Sequence, residues 1–227
     1  MHPLDNPVWK ALTTHQAQLA LGSGMARRFP PEMCVFGALA LPILPAYESL
    51  AHLAPEPVGL FSTGPLQLPA GWTVLRHIEL HQMEHDGDVA ALPKHSFEVI
   101  DLTHADLPEM TTLYAATRPG RTLSPRLYQL GGFVGLRHEG KLVAIACLRL
   151  HLPGYREIST VGTLDGFTGR GYATALVSAL IERISRRGER PFLTVRLDNP
   201  RATEIYRRLG FKERTQVNSY TVRFANR

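Results

Sequence analysis

The stretch Thr168-Gly169-Arg170-Gly171-Tyr172-Ala173 decides the reading of this chain. It follows a run of strand character, Glu157 to Thr163. It opens a segment whose apolar residues Leu176, Val177, Leu180, Ile181 and Ile184 recur at helical spacing until Gly188. A strand, a glycine-rich turn and a helix in that order form an anion site. The free N–H groups of the first helical turn converge on one point, where the helix dipole adds partial positive charge. Gly169 and Gly171 let the backbone approach a pyrophosphate, and Ala173 keeps that approach open. The loop is not the dinucleotide fingerprint, because Thr174 stands where its third glycine belongs. No Gly-Lys-Ser/Thr triplet makes it a Walker loop either.

Outward from the loop the pattern is regular. Downstream, Phe192 to Arg196 predicts a strand, Pro200 to Leu209 a helix and Tyr220 to Phe224 a last strand. Upstream, Phe97 to Leu102 predicts a strand and Ala105 to Thr117 a helix stopped by Arg118-Pro119-Gly120, with a short second helix over Pro125 to Leu130. Gly132 to Arg137 and Lys141 to Leu150 predict two strands joined by a hairpin turn at His138-Glu139-Gly140. The order is βα(α)βββαβαβ, of α/β (α+β) class.

The first 95 residues differ in texture, with 11 of the 17 prolines and 7 of the 10 histidines. They predict a helix from Val8 to Leu21, strands at Cys34–Leu41, Val58–Ser62 and Trp72–Met83, and a short helix over Tyr47–Leu53. The polar stretch Asp86-Gly87-Asp88 to Pro93 reads as a boundary, dividing a smaller N-terminal α/β region, residues 1–95, from a domain of residues 96–227.

Composition bounds the partners. Hydrophobic residues make up 44% of the 227 and charged residues 20%, an ordinary globular balance. No apolar run approaches the roughly 20 residues needed to span a bilayer, and the N-terminus lacks a signal core. A cytoplasmic protein with no membrane partner is the expectation. Cys34 and Cys147 read as two buried free thiols. The net charge of +5 is uneven, since Arg183 to Arg214 carries ten Lys/Arg against four acids. Without aromatic interleaving or a recognition motif, that surplus reads as solvated helix faces and a nucleotide-sized polyanion site, not as a nucleic-acid surface. His77, His81 and His85 would align on a helix, but Trp72–Met83 predicts a strand. Residues four apart there lie about 13 Å from each other, so no metal site is expected.

The loop and its neighbours resemble the GNAT N-acetyltransferase superfamily, whose phosphate loop reads Gln/Arg-x-x-Gly-x-Gly/Ala. Glu157 lies eleven residues before Thr168, Asn199 follows the next strand, Ala202 and Tyr206 sit on the helix after it, and Gly210-Phe211 closes that helix. The likeness runs from Phe97 to Arg214. It is nearest a bacterial branch related to glycine N-acyltransferases, on Thr117-Arg118-Pro119-Gly120, Pro153-Gly154-Tyr155, Glu157-Ile158-Ser159 and, less specifically, Asp5-Asn6-Pro7-Val8-Trp9. The first loop position departs from the pattern. Thr168 replaces a long side chain and leaves cofactor affinity to the backbone amides, with its hydroxyl as helix cap or single donor.

The resemblance implies a mixed, mostly antiparallel sheet with flanking helices, and transfer of acetyl from acetyl-CoA to a primary amine of a small molecule or peptide by direct attack. No nucleophilic Cys or Ser is needed. Tyr206 is the candidate acid that protonates the departing thiolate, since a phenol titrates near pH ~10. Glu157 is the candidate base for the substrate ammonium, directly or through a water. Val161, Gly162 and Thr163 are implied to offer backbone groups to the pantetheine arm and the thioester. Thr168, Gly169, Arg170, Gly171, Tyr172, Ala173 and Thr174 are implied to hold the pyrophosphate, with Asn199, Ala202 and Tyr206 beside it. Asn199 before Pro200 is also a strong helix N-cap. A homodimer is compatible with this class. The competing reading is a non-catalytic CoA-binding module.

Overall fold

The computed structural model describes residues 2–225. Five helices are α1 (Pro7–Thr13), α2 (Leu44–Leu53), α3 (Leu107–Thr117), α4 (Tyr172–Ser185) and α5 (Pro200–Arg208). Ten strands are β1 (Ala26–Arg28), β2 (Gly37–Leu39), β3 (Val58–Ser62), β4 (Trp72–His85), β5 (Ile100–Leu102), β6 (Phe133–His138), β7 (Lys141–Leu152), β8 (Tyr155–Thr163), β9 (Arg190–Arg196) and β10 (Phe211–Phe224). β1 and β2 form a small pair. The other eight form one sheet in the order β3-β10-β4-β9-β8-β7-β6-β5. Every pairing in it is antiparallel except β8 with β9. The α/β class and the mixed, mostly antiparallel sheet are as the sequence predicts.

α4 lies on this sheet through the stripe read from its spacing. Leu176, Val177, Leu180, Ile181 and Ile184 are buried against Val143, Ile158, Leu193 and Phe211. Each such side chain contributes about 1.5–3 kcal/mol relative to exposure. This packing fixes the start of α4, and so the glycine loop, over the edges of β8 and β9.

The sheet does not stop at the compositional boundary near residue 95. β4, from the proline-rich stretch, runs between β10 and β9, pairing Leu80–Glu84 with Phe192–Arg196. The change of texture therefore marks no break in the sheet.

Several elements differ from expectation: β1 was not predicted, the strand predicted over Cys34–Leu41 is reduced to Gly37–Leu39, and the short helix at Pro125–Leu130 is a 3-10 helix. The helix predicted over Val8 to Leu21 ends at Thr13 and is followed by a separate 3-10 turn, Ala17–Leu19. The strand predicted from Phe97 begins only at Ile100, because Phe97 instead packs its ring 4.8 Å from that of Tyr172 beside the glycine loop. The last strand starts at Phe211, nine residues early. Its first half, Phe-Lys-Glu-Arg-Thr, lacks apolar alternation, and its register with β4 and the ion pairs of Lys212 with Asp86 and Arg214 with Asp5 specify it instead.

Candidate active site

The parallel ladder between β8 and β9 ends at Glu157 opposite Phe192. Beyond it the strands part, and β9 pairs with β4 on its other side. A second irregularity sharpens the opening. Cys147 pairs with Ser159 and Ile145 with Gly162, so β8 carries one more residue than β7 across that interval, a β-bulge. Thr160 sits in it at φ 56°, a left-handed conformation that a β-branched side chain adopts only under strain, at a cost of about 1–3 kcal/mol. Its neighbour Val161 turns its carbonyl to Arg118, whose Nη2 donates to it at 2.9 Å. A Cβ on Gly162 would stand 3.0 Å from both Arg118 Nη1 and Thr117 Oγ1, so the small residue there makes room for Arg118.

Two cavities open in this wedge. The first, about 540 Å³, runs under the glycine loop. The second, about 650 Å³, lies on the side of α3 and β4. They share Val161, Gly162, Thr163, Asn199, Ala202 and Tyr206, and so form one trench with Tyr206 at its middle. Every residue predicted to hold the cofactor lines the first cavity except Arg170, whose guanidinium lies 5.2 Å over the ring of Phe167.

At the loop end, Gly169 and Gly171 have φ 81° and 87°. Gly171 is the N-cap of α4 and no side chain bonds the first-turn amides. The cap role expected of Thr168 is therefore not found. Thr168 is exposed on the cavity wall, while left-handed Gly171 begins the helix by backbone alone. Uncapped amides, left-handed glycines and an adjoining cavity fit a pyrophosphate. Two residues overlooked in the sequence join them. Arg201 and Arg208 line this cavity from α5, and Arg201 Nη2 comes within 3.9 Å of where a Cβ on Gly169 would stand. Their i, i+7 spacing, through Ile205, puts them on one helix face, which was a readable signal.

Asn199 both caps α5, its Oδ1 accepting from Ala202 N at 3.1 Å, and lines both cavities. Tyr206 projects from the same helix. Burial pushes its phenol up to about 12, against a smaller opposing pull from the Arg118 guanidinium. It is therefore a protonated donor throughout the neutral range.

Glu157 is held inside the sheet. It is the third residue of β8, its side chain is 1% exposed, and it lines neither cavity. Arg149 grips it in a fork, Nε to Oε2 at 2.9 Å and Nη2 to Oε1 at 2.6 Å, and Leu150 N adds a third donor at 3.3 Å. Burial alone pulls the Arg149 guanidinium down, but the Glu157 carboxylate more than reverses this and holds it above its ordinary range. The carboxylate meets the trench through Arg149, which stands in its wall.

Cys34 and Cys147 are both buried free thiols, and burial pushes Cys147 up to about 11. Of the ten basic residues in the 183–214 surplus, seven meet an acid partner, Arg183 with Asp101 and Arg214 with Asp5 among them. His77, His81 and His85 turn to separate partners, namely Asn218, Glu213 and the amide of Gly87. Among the described residues no helix is long and apolar enough to cross a membrane.

Comparison with known proteins bears on this trench. The model of the FR47-like protein family matches residues 133–221, which include β7, β8, the glycine loop and α5. A 65-residue segment is 40% identical to an uncharacterised N-acetyltransferase of Methanocaldococcus jannaschii, and that match covers 28% of this chain and 29% of that relative. A crystal structure of a protein from Novosphingobium aromaticivorans, assigned there to the GNAT family of acetyltransferases, is 33% identical, with each chain covered to 100% and a TM-score of 0.89. The fold alone is shared with a GCN5-related N-acetyltransferase from Kribbella flavida, at 17% identity, TM-score 0.63 and 95% coverage of each chain.

Proposed function

The chain belongs to the GNAT family of acetyltransferases, and from that premise we propose that it moves the acetyl group of acetyl-CoA onto a primary amine by direct attack within a ternary complex. The observation that carries this reading is the shared wall of the two cavities, where Tyr206 is reached from the phosphate loop on one side and from the acceptor space on the other.

The cofactor supplies an activated acyl group as a thioester. The amides at Gly171–Thr174 and the guanidinium of Arg201 hold its phosphates, and the edge of β8 at Val161–Thr163 lines the path of its arm. A C–N bond forms as the C–S bond breaks. The amine gives one proton to solvent, and the Tyr206 hydroxyl donates one to the departing sulfur, as its high pKa allows. No carboxylate lines the acceptor cavity, and Arg149 and Arg118 do. A cationic wall disfavours a bound ammonium, so the amine reaches the thioester in its neutral, nucleophilic form. Glu157 serves as the support of Arg149. Within the family we assign the chain to the glycine N-acyltransferase-like branch, supported by Thr117-Arg118-Pro119-Gly120, which supplies Arg118 to this cavity.

The test is thiol release from acetyl-CoA across amino acids, polyamines, aminoglycosides and peptides, with CoA binding measured calorimetrically beside it. CoA binding with amine-dependent thiol release supports the reading; CoA binding with no release from any amine contradicts it.

A further inference from the structure

Five arginines and no carboxylate wall the cavity on the α3 side of Tyr206. Arg76 comes from β4, Arg118 and Arg121 from the segment after α3, Arg149 from β7 and Arg196 from β9. Two of them have partners outside the wall, Glu157 for Arg149 and Asp198 for Arg196. Among the described residues, Arg76, Arg118 and Arg121 pair with no acid. Arg118 donates only to the Val161 carbonyl and to Thr117 Oγ1, and stacks 4.9 Å over the ring of Tyr114. The crowding is felt within the set. Burial, together with the neighbouring charges of Arg121 and Arg196, pulls the Arg76 guanidinium below its ordinary range, and burial with Arg121 does the same to Arg118. Like charges drawn from separate segments into one cavity, with no internal counter-ion, constitute a recognition site for an anion.

These arginines do not serve the cofactor's phosphates. No residue of 168–174 lines their cavity, and they stand across Tyr206 from the glycine loop. A monocarboxylate would leave two of the three unpaired guanidinia without a partner, and a polyamine would be repelled by all of them.

Building on the transferase reading above, we propose that the acceptor is an amine carrying two carboxylates, an acidic amino acid of the aspartate or glutamate class. Its carboxylates lie on Arg76, Arg118 and Arg121, and its amine faces Tyr206.

Two measurements test this. In the first, glutarate, which has both carboxylates and no amine, is titrated calorimetrically into the protein with and without CoA. Binding is expected with CoA present, weakened at least about tenfold in the double variant Arg76→Gln/Arg121→Gln, and partly restored by lysine at both positions. Equal binding to wild type and double variant, or exclusion of glutarate by CoA, overturns the proposal. In the second, thiol release from acetyl-CoA is followed with glutamate, glutamine and putrescine. Glutamate is expected to exceed glutamine in kcat/KM by about tenfold or more, and to lose that advantage in the double variant. Glutamine or putrescine serving as well as glutamate overturns the acceptor assignment and leaves the transferase reading standing. Glutarate binding without thiol release from any amine removes the transferase reading, and the acceptor role of this cavity with it.

Discussion

The two ends of the trench are built in opposite ways. The loop end is contiguous: residues 161–174 and 199–208 supply all of its wall, and its backbone amides stand uncapped at a helix start. The proposed acceptor end is assembled from side chains at positions 76, 118, 121, 149 and 196, five places far apart in the chain that only the tertiary fold brings together. A phosphate site made of main chain depends on local geometry and tolerates a substitution such as Thr168. A site made of converging guanidinia depends on how each one is held, and Arg149 is held by a single buried carboxylate.

That contrast sets the order of expected effects. The largest falls at the acceptor end. Glu157→Gln leaves the Arg149 guanidinium without its fork partner and is expected to cost about 3–5 kcal/mol in denaturant unfolding. The double change Arg149→Met/Glu157→Leu should recover most of that loss. A stable Glu157→Gln protein with depressed kcat would instead return Glu157 to the role of base and erase the difference between the two ends.

Next comes the floor beneath both. Cys147 pairs with Ser159 beside the bulge, and its folded thiol is pushed up from about 9 to about 11. A raised folded pKa means stability is complete below pH ~9 and falls as pH rises towards ~11. The loss is up to about 3 kcal/mol and should disappear in Cys147→Ala. A stability profile flat across that window contradicts the burial of this thiol.

The smallest effect belongs to the loop end. Thr168→Arg adds one long cation at an exposed position on the cavity wall and should tighten CoA binding by about 1 kcal/mol or less, with unfolding unchanged. A gain of several kcal/mol would mean that backbone amides are not the main holders of the phosphates.

The same contrast explains what was legible in the sequence. The glycine loop, the α4 stripe and the Asn199–Tyr206 spacing are local patterns, and each lies where it was read. The first half of β10 was missed because its charges are satisfied by Asp86, Asp5 and Glu84, residues far away in the chain. The grip of Arg149 on Glu157, eight residues later, was not legible because nothing local announces that the two meet across the hairpin. The count of basic residues pointed to 183–214, most of which are paired. The arginines left without acids at 76, 118 and 121 lie outside that segment.

The central claim is that the two cavities meet at a proton donor, Tyr206. Steady-state thiol release by Tyr206→Phe, with the Kd for acetyl-CoA measured in parallel, tests it most directly. The account predicts a fall in kcat of about 100-fold with Kd within about twofold of wild type. An unchanged kcat would contradict it.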